Sequence, residues 1–266
     1  MIKKIITLGP KFSYSYNVAL AHYSDLDIEP VSTIDEVFTN ISKQNVRGIV
    51  PIENMLNGSV RETFLSLQKN DVHIFKGYDY TIAHVLASKS EKFSTVMSHA
   101  QALVQCSEYV KSLRDKGISV VESPSTSRAM ELASEDENIA AIGSPDAVEH
   151  YKLRVIKKNI SNKDNNVTRF IEIGIGNFET KGKKTSVIVT PKTDRSGLLF
   201  EILSVFKIKD LNLTKIESIP TGEKMNDYIF YIDIEGDMQQ QNMKDAIDFL
   251  QTFVDIAVLG SYNILE

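Results

Sequence analysis

Short apolar runs bounded by turn residues recur along the first part of the chain, with segments of helical periodicity between them. Lys4–Leu8 reads as a strand that meets the turn signal Gly9-Pro10 and then a helical stretch over Asn17–Tyr23. Val46–Ile52 is apolar enough for a buried strand and delivers Glu53 and Asn54 to a loop. Thr95–Ser98 predicts a short strand, followed by a helix over Ala100–Arg114 with Ser98 as its cap and Gln101 three residues on. Ile118–Glu122 predicts another strand, and Ser125-Thr126 cap a helix that reaches Ser134. Ile139–Gly143 follows as a strand, and Ser144 opens a further helix. A strand starting at Phe170 would leave Thr168 and Arg169 at its mouth. Strand–helix alternation of this kind argues for an α/β fold on parallel sheets.

The pattern changes near Asn177–Lys184. Glu179–Lys184 is polar, charged and contains Gly182, as suits a linker. Beyond it the chain predicts strands at Thr185–Thr190, Leu211–Glu217, Tyr228–Glu235 and Ile256–Gly260, with helices at Gly197–Lys209 and Met238–Phe253. The order is βαββαβ, a ferredoxin-like pattern. Leu199, Ile202, Leu203 and Phe206 form a helical stripe able to cover such a sheet.

Composition narrows the function classes. The 266 residues are 42% hydrophobic and 24% charged, ordinary values for a globular chain, and allow one large domain or two to three smaller ones. A net charge of −5 argues against nucleic acid as the main partner. A single cysteine, Cys106, excludes an internal disulfide and fits a reducing compartment. The amino-terminal run reads as a strand, not a signal peptide, and nothing approaches the roughly 18 apolar residues of a membrane span. A cytoplasmic location is the expectation. The five histidines are scattered without metal-ligand spacing, and no nucleophile elbow, Walker loop or dinucleotide fingerprint is present.

The chemistry concentrates in four loops. Ser13, Tyr14 and Ser15 gather at a predicted helix start, where backbone N–H groups favour anions and a capping role is the simpler alternative. Asn54 has two donors and an acceptor at the end of a buried strand, while Asn57-Gly58 reads as a turn. Ser125, Thr126 and Ser127 place hydroxyls at another helix start. Asn165–Phe170 sets a hydroxyl, a permanent cation and an aromatic ring side by side, and Arg169 is a candidate carboxylate grip. His99 is better explained as a structural residue than as a proton carrier.

Together these segments resemble prephenate dehydratase over nearly the whole chain. The matching stretches are LGP at 8–10, VPIEN at 50–54 with Gly58 and Val60, SHAQALVQC at 98–106, ST at 125–126, AAIGS at 140–144, NNVTRF at 165–170 and LNLTKIES at 211–218. The resemblance implies a two-lobed, periplasmic-binding-protein-like catalytic domain over 1–178, its lobes formed by about 1–78 plus 162–178 and by 79–161. A ferredoxin-like ACT regulatory domain would occupy 185–266. It implies decarboxylating dehydration of prephenate to phenylpyruvate, feedback inhibition by phenylalanine, and a homodimer or homotetramer through the ACT domains, with no cofactor or metal. Carried over by motif, Thr168, Arg169, Asn54 and Ser13 are catalytic. Ser125, Thr126, Phe170 and Ser15 would bind substrate. The phenylalanine pocket would take Gly197, Leu198 and Leu199 together with Asn212, Leu213, Glu217 and Ser218.

The sequence departs from the family pattern in places. Phe12 stands where a glycine is usual, Met55 replaces a serine, Ser127 an alanine, and Ile219 the arginine of ESRP. These changes leave two alternatives: an enzyme for arogenate or a modified prephenate, or a non-catalytic amino-acid or keto-acid sensor on the same fold.

Overall fold

The computed structural model describes residues 1–193, 195–221 and 228–265. Its first lobe begins with β1 (Lys4–Leu8), α1 (Tyr14–Tyr23), β2 (Asp27–Val31), α2 (Ile34–Asn40) and β3 (Val46–Asn54). It continues through β4 (Gly58–Ser59), α3 (Arg61–Lys69) and β5 (His73–Thr81). β1 pairs in parallel with β2 and β3, which places Leu8 and Asn54 at the same, carboxyl-terminal edge of the sheet. Val18, Ala19, Ile49 and Phe170 bury one face of this sheet and Val37, Phe38 and Phe64 the other.

The second lobe follows as β6 (Val85–Ser88), β7 (Thr95–Ser98), α4 (Ala100–Gln105), α5 (Ser107–Arg114) and β8 (Ser119–Glu122). It is completed by α6 (Thr126–Glu135), β9 (Ile139–Gly143), α7 (Pro145–His150) and β10 (Arg154–Lys157). Its strand order is β10-β6-β9-β7-β8, with β7 parallel to both β8 and β9. The predicted helix over Ala100–Arg114 is two helices, with a break at Cys106, whose backbone leaves the helical region. His99, not Ser98, caps the first of them through a bond from Gln101 N; the Ser98 hydroxyl is buried and donates to Ile142 O.

The chain then returns to the first lobe as β11 (Val167–Gly174), inserted antiparallel between β3 and β5. The strand starts at Val167, so Thr168 and Arg169 lie within it and not ahead of it. The C-terminal domain comprises β12 (Lys184–Pro191), α8 (Leu198–Ile208), β13 (Leu213–Pro220), β14 (Tyr228–Glu235), α9 (Gln241–Leu250) and β15 (Val254–Tyr262). Its sheet order is β13-β14-β12-β15, all antiparallel, with Ile202, Phe206, Met243 and Ile247 of its two helices packed on one face.

The other face of that sheet is covered over much of its area. Ile188, Ile219, Ile229, Tyr231 and Tyr262 join one continuous apolar core with Phe64, Ile74 and Ile171 of the first lobe. The short strand β16 (Ile264–Leu265) then leaves the C-terminal domain and pairs in parallel with β5, extending the first lobe's sheet. Close approach of the two domains requires glycine at Gly260. Its φ is 147°, and an added Cβ would lie 2.4 Å from Ile74 O.

Candidate active site

A cavity of about 380 Å³ opens between the two lobes. The first lobe contributes Ser13, Ser15, Asn54, Thr168 and Phe170 to its wall, and the second lobe contributes Ser125 and Thr126. Residues separated by more than a hundred positions in sequence therefore share one cleft. Among the described residues, no lysine or arginine lines it. Hydroxyls, amides, imidazoles and the N-terminal ends of α1 and α6 are the groups left to meet negative charge there.

Ser13 caps α1: its Oγ accepts from Tyr16 N at 3.3 Å and donates to Leu8 O at 2.9 Å. Ser125 caps α6 in the same way, accepting from Arg128 N at 3.0 Å. Both hydroxyls thus face the cleft while one of their lone pairs is committed to the backbone. Ser15 is buried within the first turn of α1.

The floor of the cleft is a network centred on Asn54. Its Nδ2 donates to Asn166 Oδ1 at 2.7 Å and to Thr168 Oγ1 at 2.8 Å, with a longer contact to Val167 O at 3.3 Å. Its Oδ1 accepts from Leu56 N, Asn57 N and Asn57 Nδ2 at 3.0–3.1 Å. The carboxamide is saturated by protein partners. Because Thr168 Oγ1 accepts from Asn54, its own proton is left to donate elsewhere. Thr168 is 8% exposed and lines the cavity, so that proton is directed at whatever occupies the cleft.

Arg169 is not brought to the cleft. Side chains alternate along a strand, and Thr168 and Phe170 take the cleft side of β11. Arg169 instead forms a two-pronged pair with Asp79 of β5, Nε to Oδ1 and Nη2 to Oδ2, both at 2.7 Å. The Asp79 bond holds the guanidinium pKa above its ordinary value, and Tyr262 and Asp233 of the C-terminal sheet add to it through space. The expected carboxylate grip is corrected on this ground: its fork is occupied, and it faces the C-terminal domain.

The structure adds His84 and Gln105 to the cavity wall, and it also places there Tyr14, His99 and Gln101, which the sequence marked only as helix-start or structural residues. Gln101 and Gln105 stand one turn apart on the same face of α4, which brings both to the wall. His84 sits in the crossover between lobes, where no periodic pattern marks a site.

The departures from the family pattern occupy distinct places. Phe12 adopts the left-handed region with φ 63°, and its ring stacks on His150 of the other lobe at 3.5 Å between centroids. Beside it, Asn17 and Tyr80 of the first lobe both donate to Asp146 Oδ2 of the second, at 2.9 and 2.8 Å. Met55 points outward, 59% exposed, and Ser127 is buried inside α6.

In the C-terminal domain, Gly197 takes φ 84° at the start of α8, Leu198 is buried and Leu199 half-buried. Asn212 and Ser218 are exposed, and Leu213 packs against the domain core. Glu217 turns toward the first lobe, accepting from Ser59 Oγ at 2.7 Å. Lys215, two residues earlier on the same face, donates to Glu53 Oε1 at 2.7 Å and to Ser59 Oγ at 2.9 Å. Ile219 is buried in the core shared between the domains.

Comparison with known proteins gives two family matches. The family model described as prephenate dehydratase covers residues 5–177, and that described as ACT domain covers 187–250. The prephenate dehydratase of Methanocaldococcus jannaschii is 35% identical, and the match covers 100% of each chain. The crystal structure of prephenate dehydratase in complex with L-Phe from Arthrobacter aurescens superposes with a TM-score of 0.86 at 28% identity, over 98% of this chain and 90% of that one. The Staphylococcus aureus prephenate dehydratase structure gives 0.85 at 25% identity, over 98% and 100%.

Proposed function

This chain belongs to the prephenate dehydratase family, and on that premise we propose that it converts prephenate to phenylpyruvate by coupled loss of water and carbon dioxide. The observation that carries the reading is the Asn54–Thr168 bond, which leaves a buried hydroxyl proton aimed into the cleft. In the reaction the ring carboxylate leaves as CO2. Its bonding electrons enter the ring, and the ring hydroxyl departs as water with a proton taken up. Formation of the aromatic ring makes the product strongly favoured, so the protein has to bind, orient and assist the leaving hydroxyl.

Thr168 donates a hydrogen bond to that hydroxyl in the transition state, while the proton itself is supplied from water. Asn54 holds Thr168 in the donor orientation. The substrate's two carboxylates meet the N-terminal ends of α1 and α6, with Ser125 and Thr126 as hydroxyl donors, while Ser13, its proton held by Leu8 O, shapes the start of α1. Phe170 forms the apolar wall beside the ring. Arg169 ties β11 to β5 and positions Thr168 from behind.

The ACT domain binds phenylalanine as an inhibitory effector, and a homodimer or homotetramer assembles through it. The reading draws support from the solved relative that holds L-Phe. No helix among the described residues is long and apolar enough to cross a membrane, and the reading places the enzyme in the cytoplasm.

The test is direct. Purified protein is incubated with prephenate and phenylpyruvate is followed, with Thr168→Ala as control. Turnover that falls by about a hundredfold or more in the variant is the expected result. A variant as fast as the parent would remove Thr168 from the mechanism.

A further inference from the structure

The hydrogen bonds of the cleft extend beyond the residues assigned above. His84 lies where the chain passes from β5 to β6, between the lobes, and is 2% exposed. Its Nε2 is 2.8 Å from Gln105 Oε1, at the end of α4 in the second lobe. Its Nδ1 is 3.2 Å from the Tyr14 hydroxyl, at the start of α1 in the first lobe. The same hydroxyl lies 2.8 Å from Ala83 O.

One assignment of protons satisfies all three contacts with a neutral ring. Tyr14 has one hydroxyl proton, which it shares between Ala83 O and His84 Nδ1 as a three-centre bond. Nδ1 is then an acceptor, so a neutral ring carries its proton on Nε2. Nε2–H donates to Gln105 Oε1. With its oxygen held, the Gln105 carboxamide has its N–H groups left for the cleft that it lines. Burial of His84 lowers its pKa and so favours the neutral ring.

We propose that His84 is a positioning residue for the dehydration: anchored by Tyr14, it fixes the Gln105 carboxamide with its donors toward the substrate. The chemistry asks for this sense. The substrate has two carboxylates and a leaving hydroxyl, all acceptors, and the cleft wall has no lysine or arginine among the described residues. A reversed carboxamide would set an oxygen lone pair against those acceptors. Because the chain Tyr14–His84–Gln105 joins the two lobes, the donor is set correctly only when both lobes stand in this arrangement. The inference rests on the reading of the cleft as a prephenate dehydratase site.

Two measurements test it, one of them independent of turnover. Long-range proton–nitrogen spectra of the histidine rings in the intact protein should show His84 neutral at pH 7 with the proton on Nε2. Tyr14→Phe should mix the two tautomers. A proton on Nδ1 in the parent protein overturns the proposal. Kinetics then follow His84→Leu, Gln105→Leu, the double variant and His84→Gln, with folding checked by thermal unfolding. We expect kcat/KM to fall about 10- to 100-fold in each leucine variant. The double variant should be no worse than Gln105→Leu, because His84 acts through Gln105 alone. His84→Gln, which returns an N–H near the position of Nε2, should recover most of the loss. Losses that multiply in the double variant, or a His84→Gln no better than a folded His84→Leu, overturn it. If His84→Leu does not fold, His84→Gln is compared with Gln105→Leu instead: the proposal requires His84→Gln to stay well above Gln105→Leu, and equal rates overturn it. A parent protein inactive on prephenate would refute the proposed function, and the spectra alone would then decide the role of His84.

Discussion

At the scale of single residues, the central point is which atom donates to which. Asn54 and Thr168 are 2.8 Å apart, and the direction of that bond leaves the threonine proton free to donate into the cleft. Asn54→Asp keeps size and shape but replaces the donating N–H2 by a carboxylate oxygen. Thr168 would then donate to the carboxylate and lose its proton for the cleft. The expected outcome is a fall in kcat of about a hundredfold with KM little changed, measured by steady-state kinetics on prephenate. His84 carries a second prediction, in stability. Its folded pKa lies below the ordinary value of 6.5 because the ring is desolvated. Above pH 6.5 both folded and unfolded rings are neutral and the group contributes nothing. As pH falls below that value the unfolded chain takes up the proton first, and the folded state loses stability until its own lower pKa is passed. Urea unfolding at pH 7.5 and 5.5 should therefore show a decline in the parent protein that is smaller in His84→Gln. An equal decline in both would remove His84 as its source.

At the scale of elements, β11 shows what a sequence can and cannot convey. The existence of the strand and the two domains' order were legible because turn residues and apolar runs mark where strands end, while the gathering of Asn54, Ser125 and Thr168 around one cleft was expected from the family resemblance. The side that each residue faces was not. Starting β11 at Phe170 in place of Val167 leaves Thr168 and Arg169 free to point the same way; once both lie in the strand, alternation sends them to opposite faces. β2 was missed for a related reason: it is a short edge strand, Asp27–Val31, in which Asp27, Glu29 and Pro30 interrupt the apolar pattern. β5 includes Lys76, Gly77 and Asp79, which mask a central strand covered by another domain. The corrected position of Arg169 has a measurable consequence. Arg169→Gln should lower stability by about 1.5–3 kcal/mol through loss of the two-pronged bond to Asp79. Its KM for prephenate should stay within about threefold of the parent, since binding energy lost at a true carboxylate grip would be much larger. A KM raised a hundredfold without loss of stability would restore Arg169 to the substrate.

At the scale of the whole molecule, the sheet that carries Thr168 is held between two bodies. The second lobe closes over its carboxyl-terminal edge, where Phe12 stacks on His150 and Asp146 receives Asn17 and Tyr80. The C-terminal domain packs on the face that carries Phe64, Ile74 and Ile171, where Phe64 and Tyr231 meet at 4.7 Å between ring centroids. Lys215 and Glu217 add polar bonds to Glu53 and Ser59, and Glu53 adjoins Asn54 in β3. A C-terminal domain built into the same core should unfold with the lobe it supports, because neither can expose that interface alone without losing apolar burial. Gly260 is the point at which this can be tested. An added methyl would stand 2.4 Å from Ile74 O, against backbone that cannot rotate away, at a φ of 147° that side chains rarely adopt. Gly260→Ala should therefore push β15 off β5 and uncouple the two domains. In calorimetry the parent should give one cooperative transition, and the variant two transitions or one displaced downward by several degrees. A single, unshifted transition in the variant would mean that the domains do not share their stability through this contact.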